Sequence, residues 1–270
     1  MALLLRSLLR QGSRAAAAMA SLPGAPALPA CGPFLARPGG IPAASSARWL
    51  SIDATGLDKK LFSSKPASLE VEPFGYLPRD DVETSPFKKF LLWGSGYHTK
   101  EAQLLRCSDN LLDSVITQSE NTELFDAVGL PKAFATTYGM MVLHMWLMLQ
   151  RLRQEGEDGE RLSQLVYDAW QDDVELRVRK EGVKVRVRKW LTELEKNFYG
   201  AAVAYDKALK GGQGELEKAL WLNVYGENEG QPSRGCHMLA RYVRRELAGL
   251  AMTSPEAIMS GFVRFSGDIK

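Results

Sequence analysis

The feature that most constrains this chain is the run Leu143-His144-Met145-Trp146-Leu147-Met148-Leu149-Gln150-Arg151-Leu152-Arg153-Gln154-Glu155-Gly156. It joins a Met- and Trp-rich apolar stretch to a basic exit and a glycine stop. A helix apolar on nearly every side has to be buried, and this run is too short to cross a bilayer, which takes about 20 apolar residues. It predicts a helical domain built around one central helix over 132–155. No stretch of that length and hydrophobicity follows residue 50, so an integral membrane protein is not expected.

The flanking segments read as further helices. Leu104, Leu105, Leu111, Leu112, Val115 and Ile116 recur at helical spacing. Asn121-Thr122-Glu123 caps a short helix that ends at Gly129, with Pro131 beyond it. Leu162, Leu165, Val166, Ala169, Trp170 and Val174 form one face over 160–180. The stretch 183–209 is ambiguous. Val183, Val185 and Val187 alternate with cations in a strand-like period, yet Val183, Val187, Trp190, Leu191, Leu194 and Phe198 also share a helical stripe. With no break before Gly200, length favours helix. Helices over 215–226 and 235–250 follow, and Ser254-Pro255-Glu256 starts another, with proline at the first helical position. The expectation is an all-α class, one domain of six to seven helices over 101–270, and no sheet.

The amino terminus differs from the rest. Residues 1–52 hold Arg6, Arg10, Arg14, Arg37 and Arg48 and no acidic residue. An Arg-rich, Ser-containing, acid-free start is the pattern of an organelle transit peptide, expected over 1–50 with cleavage near Leu50. Beyond residue 50 there are 29 basic against 32 acidic residues, a net charge of −3. Binding to a polyanion would therefore need a local patch. Residues 51–100 read as a Pro/Gly-containing linker or adaptor. Phe74, Tyr76, Phe87, Phe90, Leu91, Leu92 and Trp93 are too apolar for a pure spacer, so part of it is expected to pack on the body or on a partner.

No residue set points to catalysis, a metal or a cofactor. His98, His144 and His237 lack partners at metal-ligand spacing, and His144 reads as a core histidine bonded to a carbonyl or an acid. Cys107 and Cys236 read as free buried thiols. Two features stand out. The first is the basic run Arg177, Arg179, Lys180, Lys184, Arg186, Arg188 and Lys189, broken only by Glu181. It suits an anionic surface: RNA, lipid headgroups or an acidic partner. The second is the cluster Met140, Met141, Met145, Trp146 and Met148. Such residues suit adaptable apolar binding, but core packing is the favoured reading.

Several short motifs occur in a telling order: Leu143-His144-x-Trp146 with Arg151-Leu152 and Glu155-Gly156; Trp170-x-Asp172-x-Val174 leading to Arg177; Gly182; Phe198-Tyr199 leading to Tyr205-Asp206; Leu216 with Ala219-Leu220-Trp221; and Tyr242-Val243-Arg244. With them the chain resembles the ubiquinol–cytochrome c chaperone family over about 130–265. Leu222 departs from that family's pattern, where arginine is common. The resemblance implies a non-enzymatic assembly chaperone for respiratory complex III, in the mitochondrial matrix or at the matrix face of the inner membrane. Its implied partners are nascent cytochrome b, a small helical assembly-factor partner, the mitochondrial ribosome and, peripherally, the inner membrane. No cofactor is implied. An apolar Met/Trp surface would shield a membrane segment of the client. Trp146, Trp221, Phe198 and Tyr205 are expected in the core, Asp206 as a cap or backbone acceptor, and Trp170, Asp172 and Arg177, with the rest of the basic run, as the partner contact. The alternative is a general mitochondrial ribosome- or RNA-binding module that uses 177–189.

Overall fold

The computed structural model describes residues 62–72, 99–212, 214–227 and 230–267. Among them the chain forms eight helices: α1 (Lys100–Ser119), α2 (Thr122–Val128), α3 (Phe134–Leu152), α4 (Gly156–Lys180), α5 (Val187–Lys210), α6 (Glu215–Asn223), α7 (Arg234–Met252) and α8 (Pro255–Ser260). The class is all-α. The described residues add two short helices, α2 and α8, to six longer ones, and an isolated antiparallel bridge joins Glu70 to Val263.

Local chemistry sets the ends. Thr99, Asn121, Ser233 and Ser254 each cap a helix by accepting a backbone N–H from its first turn. Gly129 and Gly261 close α2 and α8 in the left-handed conformation. The central helix is shorter than the apolar pattern suggests. It ends at Leu152, and Gly156 (φ 66°) opens α4 rather than only stopping α3. Gly159 lets the two helices meet closely, because a Cβ there would overlap the Leu152 carbonyl. The expected helix over 183–209 starts only at Val187. Gly182 (φ 87°) and Arg186 (φ 56°) are both left-handed, which turns 181–186 into a connection that the valine stripe conceals.

α3 occupies the centre, packed by α1, α4, α5 and α7. Met140, Met141, Met145, Trp146 and Met148 are all fully buried, so the Met/Trp content is core packing. The expected Met/Trp surface for a client is therefore absent from α3. Among the described residues the exposed large apolar ones are instead Leu105, Leu176, Val185, Val203 and Met252. α1 and α4 lie side by side in parallel. Lys100–Asp158 (2.7 Å) and Glu101–Arg161 (3.3 Å) join their starts, and Glu120–Arg177 joins their ends.

Two buried polar groups explain motif residues. His144 is fully buried, as a core histidine should be. Its Nδ1 donates to the Met140 carbonyl at 2.8 Å, which leaves Nε2 to accept from the Tyr242 hydroxyl, also at 2.8 Å. Gln118 Nε2 in turn donates to that hydroxyl at 3.0 Å. Burial outweighs the Met140 bond and pushes the imidazole down to about 4, so it stays neutral. Arg151 is buried against the end of α7. Nε donates to the Leu250 carbonyl at 2.9 Å, Nη2 to the Thr253 carbonyl at 3.1 Å, and Nη1 pairs with Glu155. The pairing of Arg151-Leu152 with Glu155-Gly156 thus ties the α3–α4 corner to α7. Cys107 and Cys236 are buried and free, as expected. Of the segment 51–100, residues 62–72 pack on the body; Phe74, Tyr76, Phe87, Phe90, Leu91, Leu92, Trp93 and His98 lie outside the described residues, as does 1–50.

Candidate partner-binding surface

The basic run maps to one corner: the last turn of α4, the 181–186 connection and the first turn of α5. Cations in the last turn of a helix oppose its dipole, which suits Arg177, Arg179 and Lys180 to end α4. The seven cations are not equivalent. Arg177 pairs with Asp173 one turn back and with Glu120 at the end of α1. Burial alone would lower its guanidinium, but these two carboxylates carry it above its ordinary value. Arg179 pairs with Glu175. These two arginines are committed to the protein's own acids.

Lys180, Lys184, Arg186, Arg188 and Lys189 remain. All five are exposed, and none has a side-chain hydrogen bond or ion pair among the described residues. Against them stands Glu181 alone within the ten residues 180–189. Like charges held this close without partners lower stability, so the corner is poised to gain from any polyanion that neutralises it. Val185, between Lys184 and Arg186, is 75% exposed, and Leu176 on α4 is 56% exposed. Arg186 precedes α5 in the left-handed conformation and supplies no side-chain cap, so the first N–H groups of α5 add positive potential to the corner.

Trp170 does not belong to this surface. It is 2% exposed, with its ring 5.0 Å from Phe198, 5.7 Å from Tyr167 and 6.0 Å from Tyr138. Its place was readable in the i, i+4 stripe Leu162, Val166, Trp170, Val174, which is a core face. Asp172 is exposed on α4, upstream of the corner and in no ion pair among the described residues. Thus Lys180, Lys184, Arg186, Arg188 and Lys189 come together, Arg177 and Arg179 flank them in a neutralised state, and Trp170 is internal.

Other motif residues fall into structural roles. Trp146, Phe198 and Tyr205 are buried, whereas Trp221 is half-buried beside Tyr225. Asp206 caps nothing. It accepts from Trp146 Nε1 at 2.8 Å and from Gln150 Nε2, with Arg153 at 3.4 Å, and so pins α5 to α3. Arg244 pairs with Glu217 at 2.8 Å between α7 and α6. Leu222 sits half-buried at a small cleft with Thr136, Gly139, Asn197 and Tyr225. Cys236 donates to the Glu217 carbonyl at 3.2 Å, and burial pushes its thiol up to about 12. Chemically, the corner offers electrostatic docking with one exposed aliphatic side chain at its middle.

Residues 126–265 match the family described as Ubiquinol-cytochrome C chaperone. The chain is 28% identical over 154 residues to ubiquinol-cytochrome c reductase complex assembly factor 1 of Mus musculus, covering 56% of this chain and 52% of the relative. The Drosophila melanogaster protein of that name is 28% identical over 205 residues, covering 73% and 74%. Protein CBP3, mitochondrial, of Saccharomyces cerevisiae is 27% identical over 153 residues, covering 54% and 45%. The match spans about half the length of the mouse and human relatives. The crystal structure of the Cbp3 homolog from Brucella abortus superposes with a TM-score of 0.51 at 25% identity, covering 67% of this chain and 97% of that one.

Proposed function

The chain belongs to the ubiquinol-cytochrome c chaperone family, and on that premise we propose that it is a non-enzymatic assembly chaperone for respiratory complex III. The observation that carries this is the match over 126–265, which takes in α3 to α8 and therefore the central helix with α4, α5 and α7 packed on it. In this reading residues 1–50 address the chain to the mitochondrion, 51–100 link, and 101–270 form the chaperone domain. It works at the matrix side, holding newly made cytochrome b together with a small helical assembly-factor partner. The unpaired cations Lys180, Lys184, Arg186, Arg188 and Lys189 meet phosphates of the mitochondrial ribosome, while Arg177 and Arg179 shape the corner.

A free-standing RNA-binding module fits less well. Two of the seven cations are consumed internally, and none of the exposed large apolar residues is aromatic among the described residues, so those residues offer unpaired bases no exposed ring to stack on. The test is depletion in the source cell. Complex III activity and assembled cytochrome b should fall while complexes II and IV persist, with rescue by the restored chain. An even loss of every mitochondrially encoded product would favour the RNA-binding reading instead.

A further inference from the structure

Residues 62–72 lie as an extended strap along one face of α7. The floor beneath it is the helical stripe Tyr242, Arg245, Gly249 and Thr253. Phe62 packs edge-on against the Tyr242 ring at 5.5 Å, and the Arg245 guanidinium stands 5.5 Å over Phe62 and 5.6 Å over Tyr242. Arg245 Nη1 also donates to the Ser64 hydroxyl at 2.9 Å. Gly249 clears room for backbone, since a Cβ there would come within 2.8 Å of the Ala67 carbonyl. Three bonds, two of them main chain to main chain, then hold the far end. Leu69 N–H donates to Thr253 Oγ1, Val71 N–H to the Phe262 carbonyl, and Arg264 N–H to the Leu69 carbonyl, each at 3.0 Å.

Every contact has the form by which a sheet edge and a pocketed helix face read an extended peptide: main-chain bonds for affinity, with side-chain pockets for an aromatic, a hydroxyl and an aliphatic residue. We propose that this face of α7, with the 262–264 edge, is a peptide-binding site that residues 62–72 fill in cis. A partner's extended segment fills it by strand replacement. The segment it fits carries an aromatic residue, a hydroxyl two positions on and an aliphatic residue seven positions on, as do Phe62, Ser64 and Leu69.

Three observations point to replacement rather than a permanent seal. The floor carries a charge: Arg245 pairs at 3.1 Å with its chain neighbour Glu246, which also accepts from the Ser266 N–H, and the two side chains are 6% and 0% exposed. A permanently closed core gains little from a buried ion pair over apolar packing, whereas a site that opens keeps its charges hydrated when vacated. The cis occupant is also strained, because Phe62 is a bulky residue at φ 55°. A segment from another chain that fills the same pockets without a left-handed residue competes with it. Finally, the floor lies inside the family match and the strap outside it, so the site and its present occupant are separable in sequence.

The test uses the full chain carrying Phe62→Ala and Leu69→Ala, which loosens the strap and leaves the floor intact. The probe is a fluorescein-labelled peptide of residues 60–72. Anisotropy should show it binding the double variant at least tenfold more tightly than the wild type. The unlabelled peptide should compete, and one carrying the same two alanines should not. Binding to the folded double variant no tighter than to the wild type overturns the proposal. Where the double variant loses its helical circular dichroism, hydrogen exchange of the wild type decides. Amides of Leu69, Val71 and Arg264 that open independently of α3 support replacement. Amides that exchange only together with α3 refute it.

Discussion

His144 makes the buried network testable through pH. Its side chain is held near pKa 4 in the fold, against about 6.5 in an unfolded chain. The unfolded state therefore binds the proton first, and stability falls as pH drops from about 6.5 towards 4. Above pH 6.5 the contribution is fully present. At pH 4.5 the imidazole is almost wholly protonated when unfolded and mostly neutral when folded, which puts the loss at roughly 2–3 kcal/mol. Denaturant unfolding at pH 7.5 and pH 4.5, for the wild type and His144→Gln, reads this out. The variant starts lower at pH 7.5, by about 1–3 kcal/mol, because Tyr242 loses its buried acceptor, and that gap narrows or closes at pH 4.5. Its drop between the two pH values should be smaller than that of the wild type by roughly 2–3 kcal/mol. Other titrating groups cancel in the difference, including Glu246, whose carboxyl is pushed up by burial. Equal pH dependence in the two proteins would refute a neutral, desolvated His144.

Other perturbations separate frame from surface. Arg151→Met strips the α7 end of its donor and leaves Glu155 without its partner; urea unfolding should show a loss of about 3 kcal/mol. Lys184→Glu with Arg188→Glu should leave stability within about 0.5 kcal/mol while polyanion binding collapses and its salt dependence flattens. Arg177→Glu should instead lower the melting temperature, since it sets a third carboxylate against Glu120 and Asp173. The Cys236 thiol, pushed up to about 12, should resist iodoacetamide in the folded protein at pH 8 and react once unfolded, as mass spectrometry would show.

Much of the frame was legible because it is local. The caps at Asn121 and Ser254, the apolar density of α3 and the glycine stop at Gly129 each act within a turn of where they are read. The break before α5 was not legible. Val183 and Val187 keep the helical stripe across it, and a left-handed arginine such as Arg186 leaves no mark in sequence. The basic run showed its position but not which charges are free. The Arg177–Asp173 pair is an i, i+4 relation, whereas the Arg177–Glu120 pair exists only because α1 and α4 lie side by side. Trp170 illustrates the opposite hazard, since its charged neighbours Asp172 and Asp173 drew it to the surface although its own stripe placed it inside. The docking of Phe62 and Leu69 on α7 is purely tertiary, with sequence separations that no local pattern reveals.

Capture of a client decides the matter most directly. Isolated mitochondria carrying a tagged form of the full chain are pulse-labelled for organellar translation, chased, and the tagged protein is purified at low and high salt. A complex III chaperone should bring down labelled cytochrome b early in the chase and release it later, with ribosomal proteins present at low salt and lost at high salt. Recovery of ribosomes or RNA with no labelled cytochrome b at any time would contradict it.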